Sequence, residues 1–107
     1  MKITSNYSDI FCQRLKAARL AKGLSQKSLG IRAGIDEFVA STRINRYEKG
    51  VHQASIETAQ QLAAALEVPL AYFYMADDEL AELTLHWATL SGADKAQILA
   101  LVKSKSG

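Results

Sequence analysis

One cysteine, one proline and two histidines are all that the 107 residues hold of those types. A lone Cys12 excludes an internal disulfide and a multi-cysteine zinc site. His52 and His86 lie far apart in sequence with no carboxylate-rich set around either, so no metal site is expected. The N-terminus lacks the apolar segment of a secretory signal, and the most apolar stretch, residues 62–76, is interrupted by Glu67 and Pro69. That falls short of the roughly 20 apolar residues a membrane span needs. The expectation is a cytoplasmic protein that does not enter a membrane. Glycine-rich phosphate loops of the Walker or dinucleotide type are missing as well. Cys12 sits beside Phe11 with no activating pattern and reads as a small packed hydrophobe, not a nucleophile. No enzyme and no cofactor are expected.

Alanine (17) and leucine (13) dominate what is present. With so little proline, this balance favours helices over a strand-rich sandwich or barrel, and the length suits one domain. The net charge of +2 decides little, but its distribution is uneven. Residues 9–50 carry nine cations against four anions, whereas residues 77–107 carry five anions against three cations. A basic N-terminal half suits a polyanion, because each cation set on a phosphate releases condensed counterions.

Residues 1–8 are polar and aperiodic and read as a loose arm. Ser8 or Asp9 can cap a first helix that buries Phe11, Leu15 and Ala18 and ends near Gly23. Ser25 starts a short second helix with Leu29 inside, stopped by Gly34. Asp36 is placed to cap a third helix reaching Glu48, with Ala40, Ile44 and Tyr47 on its inner face. Ser55 opens a fourth through Ile56, Ala59, Leu62, Ala63 and Leu66, and Val68 and Pro69 lead into a short aromatic turn over residues 70–75. The acidic tail follows as a helical pair. Leu80, Leu83, Trp87 and Leu90 make a narrow apolar seam, and Ser91 and Asp94 have capping-box spacing ahead of Ile98, Leu101 and Val102.

Gly30, small and mid-helix, lets the third helix cross the second closely, while Leu29 and Ile44 fill the angle between them. Such a pair projects its second member, as a helix-turn-helix must to enter a major groove about 12 Å wide. Three stretches carry a resemblance: RLKAARLAKGLSQKSLG (residues 14–30), RINRYEKG (43–50) and ALEVPLAYFY (65–74). In order and spacing, residues 11–74 resemble the lambda-repressor-like, Cro-type (XRE-type) helix-turn-helix regulators.

The resemblance implies an all-α fold with a five-helix DNA-binding domain over residues 9–76, to which the periodicity of residues 77–107 adds a helical pair, a candidate dimerisation element. It implies that Ser41, Thr42, Arg43, Asn45 and Arg46 lie along the base-reading face. Arg46 is the strongest of these, since its planar fork matches guanine O6 and N7. It implies phosphate contact and bracing by Gln26, and a structural ion pair between Arg19 and Glu48. Lys27, Lys49 and His52 flank the face as further phosphate contacts.

The sequence departs from the family pattern in about four extra residues, 35–38, before the third helix, expected to lengthen that helix by a turn at its leading end. Phe38 then either meets a thymine methyl or the sugar backbone, or packs back on the second helix. The seam of Leu80, Leu83, Trp87 and Leu90 either joins two copies or folds back on helices four and five. The function this supports is a sequence-specific double-stranded-DNA-binding repressor acting as a homodimer on an inverted repeat. The alternative is a protein-interaction module such as an antitoxin or phage-control partner.

Overall fold

Serine at three helix starts and glycine at three helix ends divide the chain into its elements. Ser25, Ser55 and Ser91 each accept a hydrogen bond through Oγ from the backbone N–H three residues on. Gly23, Gly34 and Gly50 take up positive φ after the first three helices. A computed structural model describes residues 7–107. The elements are α1 (Tyr7–Ala21), α2 (Gln26–Arg32), α3 (Ala40–Lys49), α4 (Ile56–Leu66), a 3₁₀ turn (Leu70–Tyr74), α5 (Asp78–Trp87) and α6 (Gly92–Ser106). No strand occurs among the described residues.

The core takes one fully buried large side chain from each of the first five elements: Leu15, Leu29, Ile44, Leu62 and Phe73. Each such burial favours the fold by about 1.5–3 kcal/mol. Phe11 leans on Phe73 with ring centroids 4.9 Å apart in a tilted pair. Arg14 ties the 3₁₀ turn down. Its guanidinium donates to the Met75 carbonyl at 2.7 and 2.9 Å and to Asp78 Oδ1 at 2.9 Å, and lies 5.7 Å from the Tyr72 ring centroid.

Several sequence expectations need correction. The N-terminal arm does not extend to residue 8: α1 begins at Tyr7, so Ser8 and Asp9 lie inside it instead of capping it. Asp9 in the first turn is favoured there by the helix dipole, and Ser8 reaches toward Gly50 at the end of α3. The rest of that arm, residues 1–6, lies outside the described residues.

The four extra residues do not lengthen α3, which starts at Ala40. The reason is local. Gly34 and Ile35 close α2 by donating to the Ile31 and Gly30 carbonyls, and Asp36 then turns the chain on itself. Its Oδ1 accepts from Phe38 N–H at 2.8 Å and its carbonyl from Val39 N–H at 3.1 Å, while Val39 has non-helical φ −120°. Asp36 thus caps a turn, not the helix. Nor does Phe38 pack on α2, for it is 89% exposed.

The C-terminal pair meets this body through one face only. Ala81 of α5 is buried in the core with Leu85 beside it, and Thr84 donates to the Met75 sulfur at 3.2 Å. Leu80 and Leu83 point away, 46% and 52% exposed, and Trp87 and Leu90 are half-buried. None of the 15 residues of α6 is buried.

Candidate nucleic-acid interface

The geometry of α2 and α3 begins at Gly30. A Cβ added there would lie 2.7 Å from Ala40 Cβ and 3.0 Å from Ala40 Cα, so only glycine permits this approach. Ala40 is fully buried at that contact, and Ile44 and Tyr47 follow it inward at helical spacing. The same periodicity turns Ser41, Thr42, Arg43, Arg46 and Lys49 outward, all exposed. One row of α3 is therefore core and the opposite row is a polar, cationic surface.

A buried ion pair sets the tilt of that surface. Arg19 of α1 is 8% exposed, and its Nε and Nη2 donate to the two Glu48 carboxylate oxygens at 2.5 and 3.0 Å. Its Nη1 also donates to the Leu24 carbonyl at 3.0 Å, so the fork clamps α1, the first turn and α3 together. Gln26, at the start of α2, donates to Glu48 Oε1 at 3.1 Å and to Asn45 Oδ1 at 3.2 Å. Gln26 thus braces α3 with its amide group. Asn45 is half-buried as part of the same network, which separates it from the freely exposed Ser41, Thr42, Arg43 and Arg46. Arg43 is steadied by its neighbour, donating to the Tyr47 hydroxyl at 3.3 Å.

Lys27 stands exposed on the first turn of α2, and Lys49 and His52 at the far end of α3. His52 also lines a cleft of about 130 Å³ with Tyr7, Phe11, Cys12, Tyr47 and Tyr74. In that cleft Cys12 donates its S–H to the Tyr47 carbonyl at 3.1 Å. Burial, then the nearby Asp9 carboxylate, pushes the Cys12 thiol above its ordinary pKa, and burial does the same for the Tyr74 phenol.

Residues 15–73 match the helix-turn-helix family. The chain belongs to that family. The helix-turn-helix match ends at Phe73 of the 3₁₀ turn, before the two C-terminal helices begin. The fold is also similar beyond it to the crystal structure of the transcriptional regulator BswR. That likeness has 45% identity and a TM-score of 0.83, and covers 87% of this chain and 92% of the other. No curated protein matches the chain.

Two features of this helix-turn-helix depart from what its sequence led one to expect. Besides the expected Arg19 pair, two more of its N-terminal cations are tied to the body, since Arg14 donates to Asp78 and Lys22 pairs with Glu67. A long-range partner leaves no signal in a local pattern. The turn over residues 36–39 is the other, and its signal was present in Asp36 followed two residues later by an N–H it can bind.

Proposed function

We propose that this helix-turn-helix protein binds double-stranded DNA sequence-specifically and regulates transcription as a repressor, by occupying an inverted-repeat operator as a homodimer. The observation that carries this reading is the outward row of α3: exposed Ser41, Thr42, Arg43 and Arg46 on a helix whose angle is fixed by the buried pair of Arg19 and Glu48. Arg46 donates to guanine, Ser41 and Thr42 bond base edges less selectively, and Asn45 supports them through Gln26. Lys27, Lys49 and His52 supply phosphate contacts at the margins, which add affinity and register. The likeness to a transcriptional regulator supports the same assignment.

Four or five base pairs read by one helix are too few for a unique site, so a second copy doubles the readout. The exposed seam of Leu80 and Leu83, continued through Trp87 and Leu90, supports such a dimer. Two-fold symmetry then sets half-sites about 34–36 Å apart.

Selection of bound duplexes from a random pool tests the reading. An enriched inverted repeat is expected, with affinity falling steeply as salt rises, by about 0.9 log units per tenfold salt for each phosphate contacted. Arg46→Ala is expected to relax one base position, at a cost of about 1–3 kcal/mol in discrimination, with an unchanged melting temperature. Failure to enrich any sequence would overturn the proposal. The exposed seam would then favour the protein-interaction module instead.

A further inference from the structure

The largest exposed apolar side chain beside the α3 surface is Phe38, 89% exposed, two residues ahead of the helix start. An open phenyl ring in water gains nothing, and here it is not a loose one. Its own N–H is held by Asp36 Oδ1 at 2.8 Å, the next N–H by the Asp36 carbonyl, and the residue after that, Ala40, is packed against Gly30. The turn thus holds the Phe38 backbone in place at the leading end of α3, with its ring in solvent. In a helix-turn-helix the leading end of the second helix is the part that contacts base edges.

We infer that the turn over residues 36–39 is a second base-reading element, in which Phe38 packs on the 5-methyl group of a thymine in the major groove. Two observations choose the base edge over the sugar-phosphate backbone. Asp36 and Glu37, both exposed on this turn, are repelled by phosphates, which disfavours laying the turn along the strand. Residues 36–39 carry no cation of their own to hold a phosphate, whereas Lys27 and Arg32 stand on α2 and Lys49 at the far end of α3. The thymine methyl is the one apolar group the major-groove edge presents, and an aromatic ring is a suitable partner for it. The extra residues thereby lengthen the sequence read by each copy at its leading side.

This inference rests on the DNA-binding assignment, and its test separates the two. Duplexes selected by the wild-type protein are remade with each thymine replaced singly by uracil, which lacks only the 5-methyl group. The wild type and Phe38→Ala are then titrated on every duplex. One thymine is expected at which uracil weakens the wild type about fourfold, the value of one buried carbon group, and leaves Phe38→Ala unaffected. Phe38→Ala should bind the parent duplex about tenfold more weakly with the same salt dependence, because no phosphate contact is lost. Its melting temperature should match the wild type, since the ring touches no core. If the wild type selects a sequence but Phe38→Ala shows the same affinity and the same response to every uracil, the inference is overturned while the DNA assignment stands. If the wild type selects no sequence, both fall.

Discussion

Arg19 and Glu48 show how a single pair of residues determines whether a polar surface is usable. The Glu48 side chain is 4% exposed and that of Arg19 10%, so neither charge has water to fall back on. Glu48→Ala leaves the guanidinium buried and uncompensated, and removes an acceptor from Gln26 as well. A loss of about 3–5 kcal/mol in unfolding free energy is expected from urea titration, against almost none for the exposed Glu57 treated the same way. The cleft below α3 gives a second residue-scale prediction. The native state holds the Cys12 and Tyr74 protons more tightly than the unfolded chain does, so stability falls as pH rises from the unfolded thiol's value through the native one. The urea midpoint is expected to decline above about pH 8.5, and Cys12→Ala should flatten the first part of that decline. At this scale the pairing of Arg19 with Glu48 was legible through family resemblance, and the network linking Gln26 to Asn45 was not. Side chains 19 positions apart meet only once two helices have been placed.

Between elements, the contact of α2 with α3 is decided by the absence of one side chain. Gly30→Ala brings two opposing effects: alanine favours a helix by about 1 kcal/mol, but its Cβ meets Ala40 backbone at 3.0 Å and Cβ at 2.7 Å. The overlap includes backbone, which cannot swing aside, and overpacking of this kind costs about 1–3 kcal/mol. The steric effect wins. Gly30→Ala is expected to lower stability by about 1 kcal/mol and, by pushing α3 off its seat, to weaken DNA binding further than that loss explains. Ala40→Gly in the same chain removes the 2.7 Å Cβ contact but leaves the backbone contacts at 3.0 and 3.1 Å, so it should recover the binding only in part, as expected of a steric cause. Helix positions were legible because capping serines and inward positions recur with helical period. The leading end of α3 is not legible in the same way, because Asp36 satisfies either a helix start or a tight turn from sequence alone. The β-branched, non-helical Val39 and the Phe38 N–H within reach of Asp36 tip it to the turn.

Across the whole molecule, α6 is the element that the rest of the chain does not explain. A helix of 15 residues is marginal in water by itself, yet no residue of α6 is buried, and Leu99, Leu101 and Val102 are about half exposed. Its ties to α5 are slight, with Lys95 lying 5.8 Å from the Trp87 ring centroid. The sequence showed the apolar seam of α5 but not which way it would face, since both outcomes use the same periodicity. With Ala81 turned inward, Leu80 and Leu83 remain outward, and Leu99, Leu101 and Val102 of α6 are exposed as well. If a second copy covers these surfaces, the stability of the C-terminal pair is tied to protein concentration. The wild type should sediment as a dimer, and its melting temperature should rise with concentration. Leu83→Glu with Val102→Glu places two charges on residues that the single chain leaves in water, so the N-terminal body keeps its fold. That variant is expected to sediment as a monomer, to lose α6 helicity by circular dichroism, and to bind one half-site as the wild-type monomer would while losing the gain from the second. Unchanged sedimentation would show that the two copies meet elsewhere, and a wild type that remains monomeric at every concentration would leave α6 to a different protein.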